Sequence, residues 1–292
     1  MSLLDRIREC QRWEPARYRP FRIEGQGVGW ITEDFAERLR AFPEVFRVSG
    51  EAIDLAPALT CFEQRSRAVE QILLALKHEG LTRGWRNEAY PVGADFYTPP
   101  LMQIERAAVP LFGVRAYGVH VNGFVGRGAD LKLWVGKRSP HKQTAPGKLD
   151  HLVAGGQPMG ISLMDNVLKE SAEEASLSEA MARQARPVGF ISYITERSEG
   201  LRNDICFAYD IELPESFVPR NTDGEIESFA LWPIEEVRER MAETEDFKFN
   251  VALVNIDFLV RHGYLSPDEP GYVDIVEGLR NSPSPALRSG RG

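Results

Sequence analysis

Hydrophobic residues recur along the first third of the chain mainly at the three- and four-residue spacing of amphipathic helices. The clearest case is a helix predicted over 65–78, in which Val69, Ile72 and Leu76 share one face and after which Gly80 ends the helix. The other elements predicted in this part are a helix over 1–13, a strand pair over 21–31, a helix over 33–42 and a strand over 45–48.

Near residues 107–114 the spacing of hydrophobic residues changes from helix-like to strand-like. Strands are predicted over 117–125, 132–137, 151–154, 188–194, 205–213 and 227–232, the first two as a hairpin. Helices are predicted from 163 onward, over 233–241 and over 250–261. Strands flanked by several helices predict the α/β (α+β) class.

This organisation predicts two domains and a tail. A smaller α+β domain is expected over 1–110, and a larger layered α/β domain over 111–279. Residues 280–292 are rich in Ser, Pro, Arg and Gly, so we expect them to be a disordered tail.

A glycine-rich turn that leads into an acidic helix, residues 155–175, carries the most chemical information. Ser162 and Asp165 have the spacing of a capping box, which predicts that the helix begins at Leu163. Gly155 and Gly156 precede the helix, and a backbone without side chains can approach an ion or a phosphate closely.

Three carboxylates, Glu170, Glu173 and Glu174, fall within one stripe of this helix at about 100° per residue. We expect that stripe to be exposed. The opposite stripe is expected to face the core and holds Met164, Leu168, Ala172 and Ala175. Like charges at this spacing repel, and a divalent cation with oxygen ligands, such as Mg²⁺, would reverse that repulsion. The alternative is an ordinary solvated acidic face.

Composition and charge limit the partners. The 292 residues are 43% hydrophobic and 27% charged, as in globular proteins, and no run of eighteen apolar residues predicts a membrane span. A net charge of −8 argues against a nucleic-acid polymer but allows small phosphorylated molecules beside a metal. Three widely spaced cysteines and a start without a secretory signal predict a cytoplasmic protein with reduced, buried thiols.

The acidic segment resembles the Nudix box, Gly-x5-Glu-x7-Arg-Glu-U-x-Glu-Glu-x-Gly-U, where U is apolar. Gly155, Glu170, Glu173, Glu174 and Leu177 match the pattern without gaps. The chain departs from the pattern at four positions, which hold Ile161, Lys169, Ser171 and Ser176. Segments outside the box resemble the Nudix part of fungal thiamine-pyrophosphokinase-linked proteins and their relatives: 84–88, 104–106, 118–124, 134–139, 142–150, 153–156, 223–227 and 247–250.

The resemblance implies a Nudix α/β/α sandwich with a mixed sheet, and hydrolysis of a small-molecule diphosphate with Mg²⁺ or Mn²⁺. It implies catalytic roles for Glu170, Glu173 and Glu174. The implied metal ligands are these three carboxylates, the Gly155 carbonyl and Glu225, although Glu225, like Glu227, is equally well read as an ordinary polar residue.

The subgroup resemblance points to thiamine diphosphate or its oxidised analogues, converted to monophosphates. Arg138, Lys142 and Lys148 are candidate phosphate contacts, or solvated basic residues of a loop. Trp85 and Tyr90 are candidates to stack a heterocycle, or packing residues between domains.

Three alternatives stay open. One is a Nudix hydrolase of ADP-ribose or a dinucleotide, and a second is an isomerase of isopentenyl diphosphate type, although its cysteine motif is absent. The third is a non-catalytic binding module, which Ile161 and Lys169 favour and the intact glutamate stripe opposes. The oligomeric state is also open, with a homodimer as one option.

Overall fold

The structure is a computed structural model that describes residues 2–82, 84–142 and 144–280. The expected disordered tail lies outside the described residues beyond Arg280. The helices before residue 115 are α1 (Leu3–Glu9), α2 (Glu33–Leu39), α3 (Phe62–His78) and α4 (Val109–Phe112), with short 3₁₀ turns at Pro15–Arg17 and Arg106–Ala108. The strands in this part are β1 (Tyr18–Ile23), β2 (Gln26–Thr32), β3 (Phe46–Val48), β4 (Ile53–Leu55), β5 (Ala89–Val92) and β6 (Met102–Glu105).

The rest of the described chain is richer in long strands. These are β7 (Arg115–Val125), β8 (Lys132–Arg138), β9 (Leu149–Asp150), β10 (Val153–Gly156), β11 (Arg186–Arg197), β12 (Gly200–Glu212) and β13 (Ile226–Pro233). The helices are α5 (Leu163–Ala175), α6 (Glu179–Ala182), α7 (Ile234–Glu243), α8 (Phe249–Arg261) and α9 (Tyr272–Gly278), with a 3₁₀ turn at Gly128–Asp130. Every element predicted from periodicity is present among the described residues, with ends shifted by a few residues.

The N-terminal part holds a four-stranded sheet in the order β2-β1-β4-β3 and a separate hairpin of β5 and β6. Only β1 and β4 run parallel within that sheet. The apolar face of α3, with Val69, Ile72 and Leu73, packs into one core with the sheet and the hairpin. The β5–β6 hairpin lies next to the larger sheet, where β5 contacts β7.

The larger sheet has the order β11-β12-β7-β8-β13. Strand β12 runs parallel to β7, and the other pairs are antiparallel, so the sheet is mixed as expected. Strand β10 pairs with the first half of β7, and Gly156 lies opposite Gly118. Because β7 carries β10 on one side and β12 on the other, the glycine turn lies two strands from β12.

Helices cover both faces of the larger sheet. One face packs against α5 and α6, and the other against α7, α8, α9 and α1. Helix α8 is buried from Asn250 to Leu259, because it is enclosed between the sheet and its neighbouring helices. The expected α/β/α sandwich is confirmed.

Helix α1 does not join the N-terminal core. Leu3, Ile7 and Cys10 pack with α8 and α9 in the core of the larger sheet. The division at residue 110 therefore stays a prediction, since the first ten residues pack across it. The thiols of Cys10 and Cys206 are buried as expected, but Cys61 is exposed.

Candidate active site

Helix α5 begins at Leu163, as its capping signal predicts. The Ser162 hydroxyl accepts the backbone N–H of Asp165 at 3.1 Å and donates to the Asp165 carboxylate at 2.7 Å. These bonds satisfy an orphan donor of the first turn and set the register of the helix. The residue at which the helix begins fixes the positions of the glutamates along it, and its packing on β10 decides which of them face the sheet.

The three box glutamates do not share one exposed stripe, so that prediction is wrong. Glu174 is buried, with 3% of its surface exposed, while the side chains of Glu170 and Glu173 are 14% and 45% exposed. The buried stripe instead contains Asn166, Val167, Ser171, Glu174 and Ala175. Met164 and Leu168 are half-buried and Ala172 is exposed, because the helix packs against β10 with a face rotated from the one expected.

A backbone hydrogen bond accounts for the position of Glu174. The Ala154 N–H of β10 donates to Glu174 Oε2 at 2.8 Å. Burial raises the pKa of Glu174 well above its usual range; this hydrogen bond opposes the shift, and the nearby charges of Asp150, Glu170 and Glu225 add to it. The sheet therefore holds one carboxyl group in a position where a nearby cation would stabilise its charged form.

The two box glycines are required by close packing on both sides. A Cβ at Gly155 would lie 2.7 Å from Glu170 Oε1 and closer still to Cδ and Cγ. A Cβ at Gly156 would overlap the Tyr90 hydroxyl and lie 3.0 Å from its ring carbon Cζ. Because Gly155 has no side chain, Glu170 can pack against it, and because Gly156 has none, Tyr90 of the N-terminal part can pack against it.

The end of α5 brings two more acidic residues to the site. Ser176 stands where the Nudix pattern has its last glycine, yet it adopts the left-handed conformation with φ of 52°. The following loop satisfies the last carbonyls of the helix: Arg220 N–H donates to Ala175 O at 3.2 Å, and Thr222 N–H to Glu173 O at 3.0 Å. This attachment carries Asp223 and Glu225 toward the helix.

Glu174, Asp223 and Glu225 form a carboxylate cluster in which one oxygen of each lies within 4.8 Å of the others. Carboxylate oxygens are the hard ligands that Mg²⁺ and Mn²⁺ prefer, so the donor set fits such a cation. Sequence reasoning expected Glu225 here and missed Asp223, although Asp223 stands in the same short motif, two residues before it. Glu227 lies away from the cluster and pairs with Lys137 at 3.0 Å.

Cationic side chains partner these carboxylates. Lys169 Nζ lies 3.0 Å from Glu170 Oε1 and 3.1 Å from Glu173 Oε2, so the lysine at the box arginine position pairs with both and offsets one of their two charges. Lys142 forms a close ion pair with Glu225. Burial raises the pKa of Glu170, whereas burial of Glu225 is outweighed by Lys142, which lowers its pKa.

Arg138 lines a cleft together with Lys142 and Lys148, and its donors are paired within the protein. It is buried, and its Nη1 donates to Asp150 at 2.5 Å, while Nε and Nη2 donate to the Thr144 carbonyl at 3.2 and 2.8 Å. Its geometry is that of a residue that holds the 139–148 loop against β9. Lys148 lies at the same cleft, and its Nζ donates to the Glu245 carbonyl at 2.6 Å.

Trp85 is also placed differently from its expected role. The indole packs against the N-terminal core, with Lys77 Nζ 4.6 Å from the ring centroid and Nε1 donating to Asn87 at 2.8 Å. It is not among the cleft residues of the described chain, whereas Tyr90 is. The reason is that the segment turns after Trp85, so that Arg86 and Tyr90 face the cleft.

One cleft of about 1320 Å³ joins these features. Its walls come from the N-terminal part, from β7, β10 and β12, and from the start of α8. Cleft residues that sequence reasoning did not select are Arg86, Arg106, Tyr193, Arg202, Asp204, Asp223 and Lys248. They lie far apart in sequence, and four of them, Arg86, Arg106, Asp223 and Lys248, fall in segments noted for their resemblance.

Comparisons with known proteins give a match to one family model, two similar plant proteins and a similar solved structure. Residues 2–116 match the family model described as a domain of unknown function (DUF4743). Two Arabidopsis thaliana proteins, Nudix hydrolase 24, chloroplastic, and Nudix hydrolase 20, chloroplastic, are each 45% identical over 96% of this chain and 78% of their own length. The crystal structure of DR0079 from Deinococcus radiodurans is 19% identical with a TM-score of 0.46, and covers 60% of this chain and 99% of that one.

The plant relatives also correct one expectation. The prediction of a cytoplasmic protein is wrong, since both relatives are named as chloroplastic hydrolases. Within the described ranges, no helix is long and apolar enough to cross a membrane. With 45% identity to named Nudix hydrolases over nearly its full length, the chain belongs to the Nudix hydrolase family, whose members act on diphosphate compounds and generally use a divalent metal.

Proposed function

We propose that this Nudix hydrolase uses Mg²⁺ or Mn²⁺ to cleave a diphosphate-containing small molecule in the cleft beside α5. The observation that carries the proposal is the buried Glu174 carboxylate, which lies with Asp223 and Glu225 in one cluster at the edge of the cleft. Burying a carboxylate among like charges is unfavourable unless a cation joins them. A divalent cation accounts for that arrangement.

The residues that would hold the cation are Glu173, Glu174, Asp223, Glu225 and the Gly155 carbonyl, with Glu170 beside them. A bound divalent ion supplies Lewis-acid stabilisation of the phosphate charge and lowers the pKa of a water. Because burial raises the pKa of Glu170, that side chain is a better proton acceptor than a free carboxylate. We assign it the role of metal ligand or of general base.

The substrate we propose is thiamine diphosphate or one of its oxidised analogues, converted to the monophosphate. Segments that resemble the thiamine-linked subgroup contribute side chains to the cleft wall, among them Arg86, His120 and Lys248. Tyr90 and Tyr193 add aromatic surface that suits a heterocycle. Lys142 and Lys169 pair with the carboxylates, Lys148 lines the same cleft, and the three ammonium groups suit the phosphates of the substrate.

The test is a panel of diphosphates assayed with Mg²⁺, with Mn²⁺ and with a chelator, scoring monophosphate and phosphate. It includes thiamine diphosphate, its oxidised analogues, ADP-ribose and NADH. We expect metal-dependent turnover that Glu174→Gln abolishes, while Glu179→Gln, which changes an exposed glutamate outside the cleft, retains it.

Three results would count against the proposal. Full activity in Glu174→Gln or in the chelator would refute the metal mechanism. Turnover of ADP-ribose alone would refute the thiamine assignment and leave the hydrolase. A folded wild type that cleaves no diphosphate would favour a binding module.

A further inference from the structure

The segment 84–88 and the 3₁₀ turn after β6 are tied together by one carboxylate. Glu105 accepts the backbone N–H of Arg86 at 2.8 Å, of Glu88 at 3.2 Å and of Ala107 at 3.3 Å. The Arg106 N–H also donates to the Glu88 carbonyl at 2.9 Å. Two arginines that are twenty residues apart in sequence are thereby held on one small rigid unit of the N-terminal part.

This unit docks directly on the Nudix box. The Tyr90 hydroxyl lies against the bare backbone of Gly156, and the Met159 N–H donates to the Ala89 carbonyl at 3.0 Å. The Arg106 guanidinium carbon lies 3.6 Å from the position that a Cβ of Gly156 would occupy. The match of Gly156 to Tyr90 shows that the box is shaped to receive this neighbour.

Arg86 faces Glu225 across the cleft, and Arg106 lines the same cleft while its guanidinium pairs with Glu88 of its own unit. Arg86 Nη1 lies 3.6 Å from Glu225 Oε1, and Arg106 Nη1 lies 2.8 Å from Glu88 Oε2. Their side chains are 39% and 43% exposed, so the guanidinium groups reach the solvent of the cleft. The positive charge of both, after that of Lys142, lowers the pKa of Glu225.

We propose that Arg86 and Arg106 form a phosphate clamp, through which the N-terminal segment binds the diphosphate of the substrate opposite the metal ligands. The clamp rests on the proposed function, since it acts on the diphosphate bound at that site. It assigns the N-terminal segment a part in substrate recognition, and it makes Glu105 a positioning residue.

Charge balance supports this assignment. When Glu225 binds a cation, its negative charge is no longer available to Arg86. The Arg86 guanidinium can then pair with a phosphate of the substrate. Guanidinium groups present forked donors that match two phosphate oxygens, which an ammonium group cannot do. Two such groups on one wall and a divalent ion on the other would bracket a diphosphate.

The experiment measures binding of methylenediphosphonate, a non-hydrolysable diphosphate analogue, by titration calorimetry with Mg²⁺. The proteins are wild type, Arg86→Gln, Arg106→Gln and the control Arg40→Gln, which changes an exposed arginine paired with Glu37 outside the cleft. We expect a dissociation constant at least tenfold higher for each cleft variant, as for a lost charged hydrogen bond, and an unchanged one for the control.

A second readout separates binding from turnover. With any diphosphate that wild type cleaves, we expect Arg86→Gln and Arg106→Gln to raise KM at least tenfold, and Arg→Lys variants to restore little of it. If Arg106→Gln folds poorly because Glu88 loses its partner, Glu88→Gln/Arg106→Gln removes both charges and serves in its place.

The outcomes are distinguishable. Unchanged binding and KM in the cleft variants would refute the clamp and leave the hydrolase intact. Arginine-dependent binding in a protein that cleaves no diphosphate would uphold the clamp and refute the hydrolase. A folded wild type that does not bind methylenediphosphonate would overturn the clamp.

Discussion

The contact between Gly156 and Tyr90 makes the sharpest prediction, because it joins the Nudix box to the N-terminal part. In Gly156→Ala the new Cβ would overlap the Tyr90 hydroxyl and lie 3.0 Å from Cζ. Carbon atoms pack best at about 3.5–4.0 Å, so the ring and its backbone must recede by roughly 1 Å or more. Tyr90 is buried in the N-terminal core and cannot turn away freely.

We expect Gly156→Ala to lower the free energy of unfolding by about 1–3 kcal/mol, the usual penalty of overpacking. Tyr90→Phe removes the overlapping oxygen, so the double variant Gly156→Ala/Tyr90→Phe should recover about half of that loss. The coupling free energy of the two changes should therefore reach about 1 kcal/mol. Urea unfolding of the four proteins measures it, and KM for a cleaved diphosphate reports whether Arg106 has moved.

A matched control separates this contact from the general effect of replacing glycine. Gly50 has no atom within 4 Å of an added Cβ, so Gly50→Ala should leave stability and KM near the wild-type values. If the losses in Gly156→Ala and Tyr90→Phe simply add to within about 0.5 kcal/mol, the contact is not the cause of the destabilisation.

Three further predictions concern residues whose roles the structure alters. Arg138→Met breaks the buried pair with Asp150, so it should cost about 3–5 kcal/mol of unfolding free energy with KM unchanged; a raised KM at full stability would restore its substrate role. Trp85→Ala should lose about 2 kcal/mol of stability, measured in urea, and leave KM for thiamine diphosphate unchanged, because the indole packs on the N-terminal core; a rise in KM would instead support stacking. Burial lowers the pKa of His151 to about 4 and that of His120 well below its usual 6.5. As the pH falls below 7, the histidines of the unfolded chain bind protons before those of the folded chain. The free energy of unfolding should therefore be highest above about pH 7 and fall toward pH 4, by about 3 kcal/mol for His151 alone. Urea unfolding at several pH values measures this, and His151→Asn should reduce the dependence on pH; an equal dependence in the variant and the wild type would contradict it.

Local signals in the sequence predicted the elements well. The start of α5 depends on Ser162 and Asp165, which lie within one turn of each other, and the face of α3 depends on neighbours three and four residues apart. Such interactions are settled within a short stretch of chain, so periodicity and capping residues suffice to predict them. The same locality predicted the glycine turn and the acidic helix together.

The direction of the glutamates was beyond local reasoning. The helical stripe is correct in geometry, but the hydrogen bond from the Ala154 N–H turns Glu174 into the protein while Glu173 stays half exposed. Asp223 reaches the cluster only because its loop binds the free carbonyls at the end of α5. Both effects depend on which segments pack together, and the spacing of residues along one helix does not predict that packing.

By itself the sequence determined most of the longer helices and strands, the reaction class implied by the Nudix box and the glycine turn before the acidic helix, but it missed the β5–β6 hairpin. Only the tertiary structure decided that Glu174 is buried, that Arg138 and Trp85 make their contacts within the protein, and that Arg86 and Arg106 line one cleft with Asp223 and Glu225. The physical reason is the distance along the chain between the residues that interact. Element formation depends on residues a few positions apart, whereas burial, charge pairing and the cleft itself arise from contacts between segments that can lie more than a hundred residues apart.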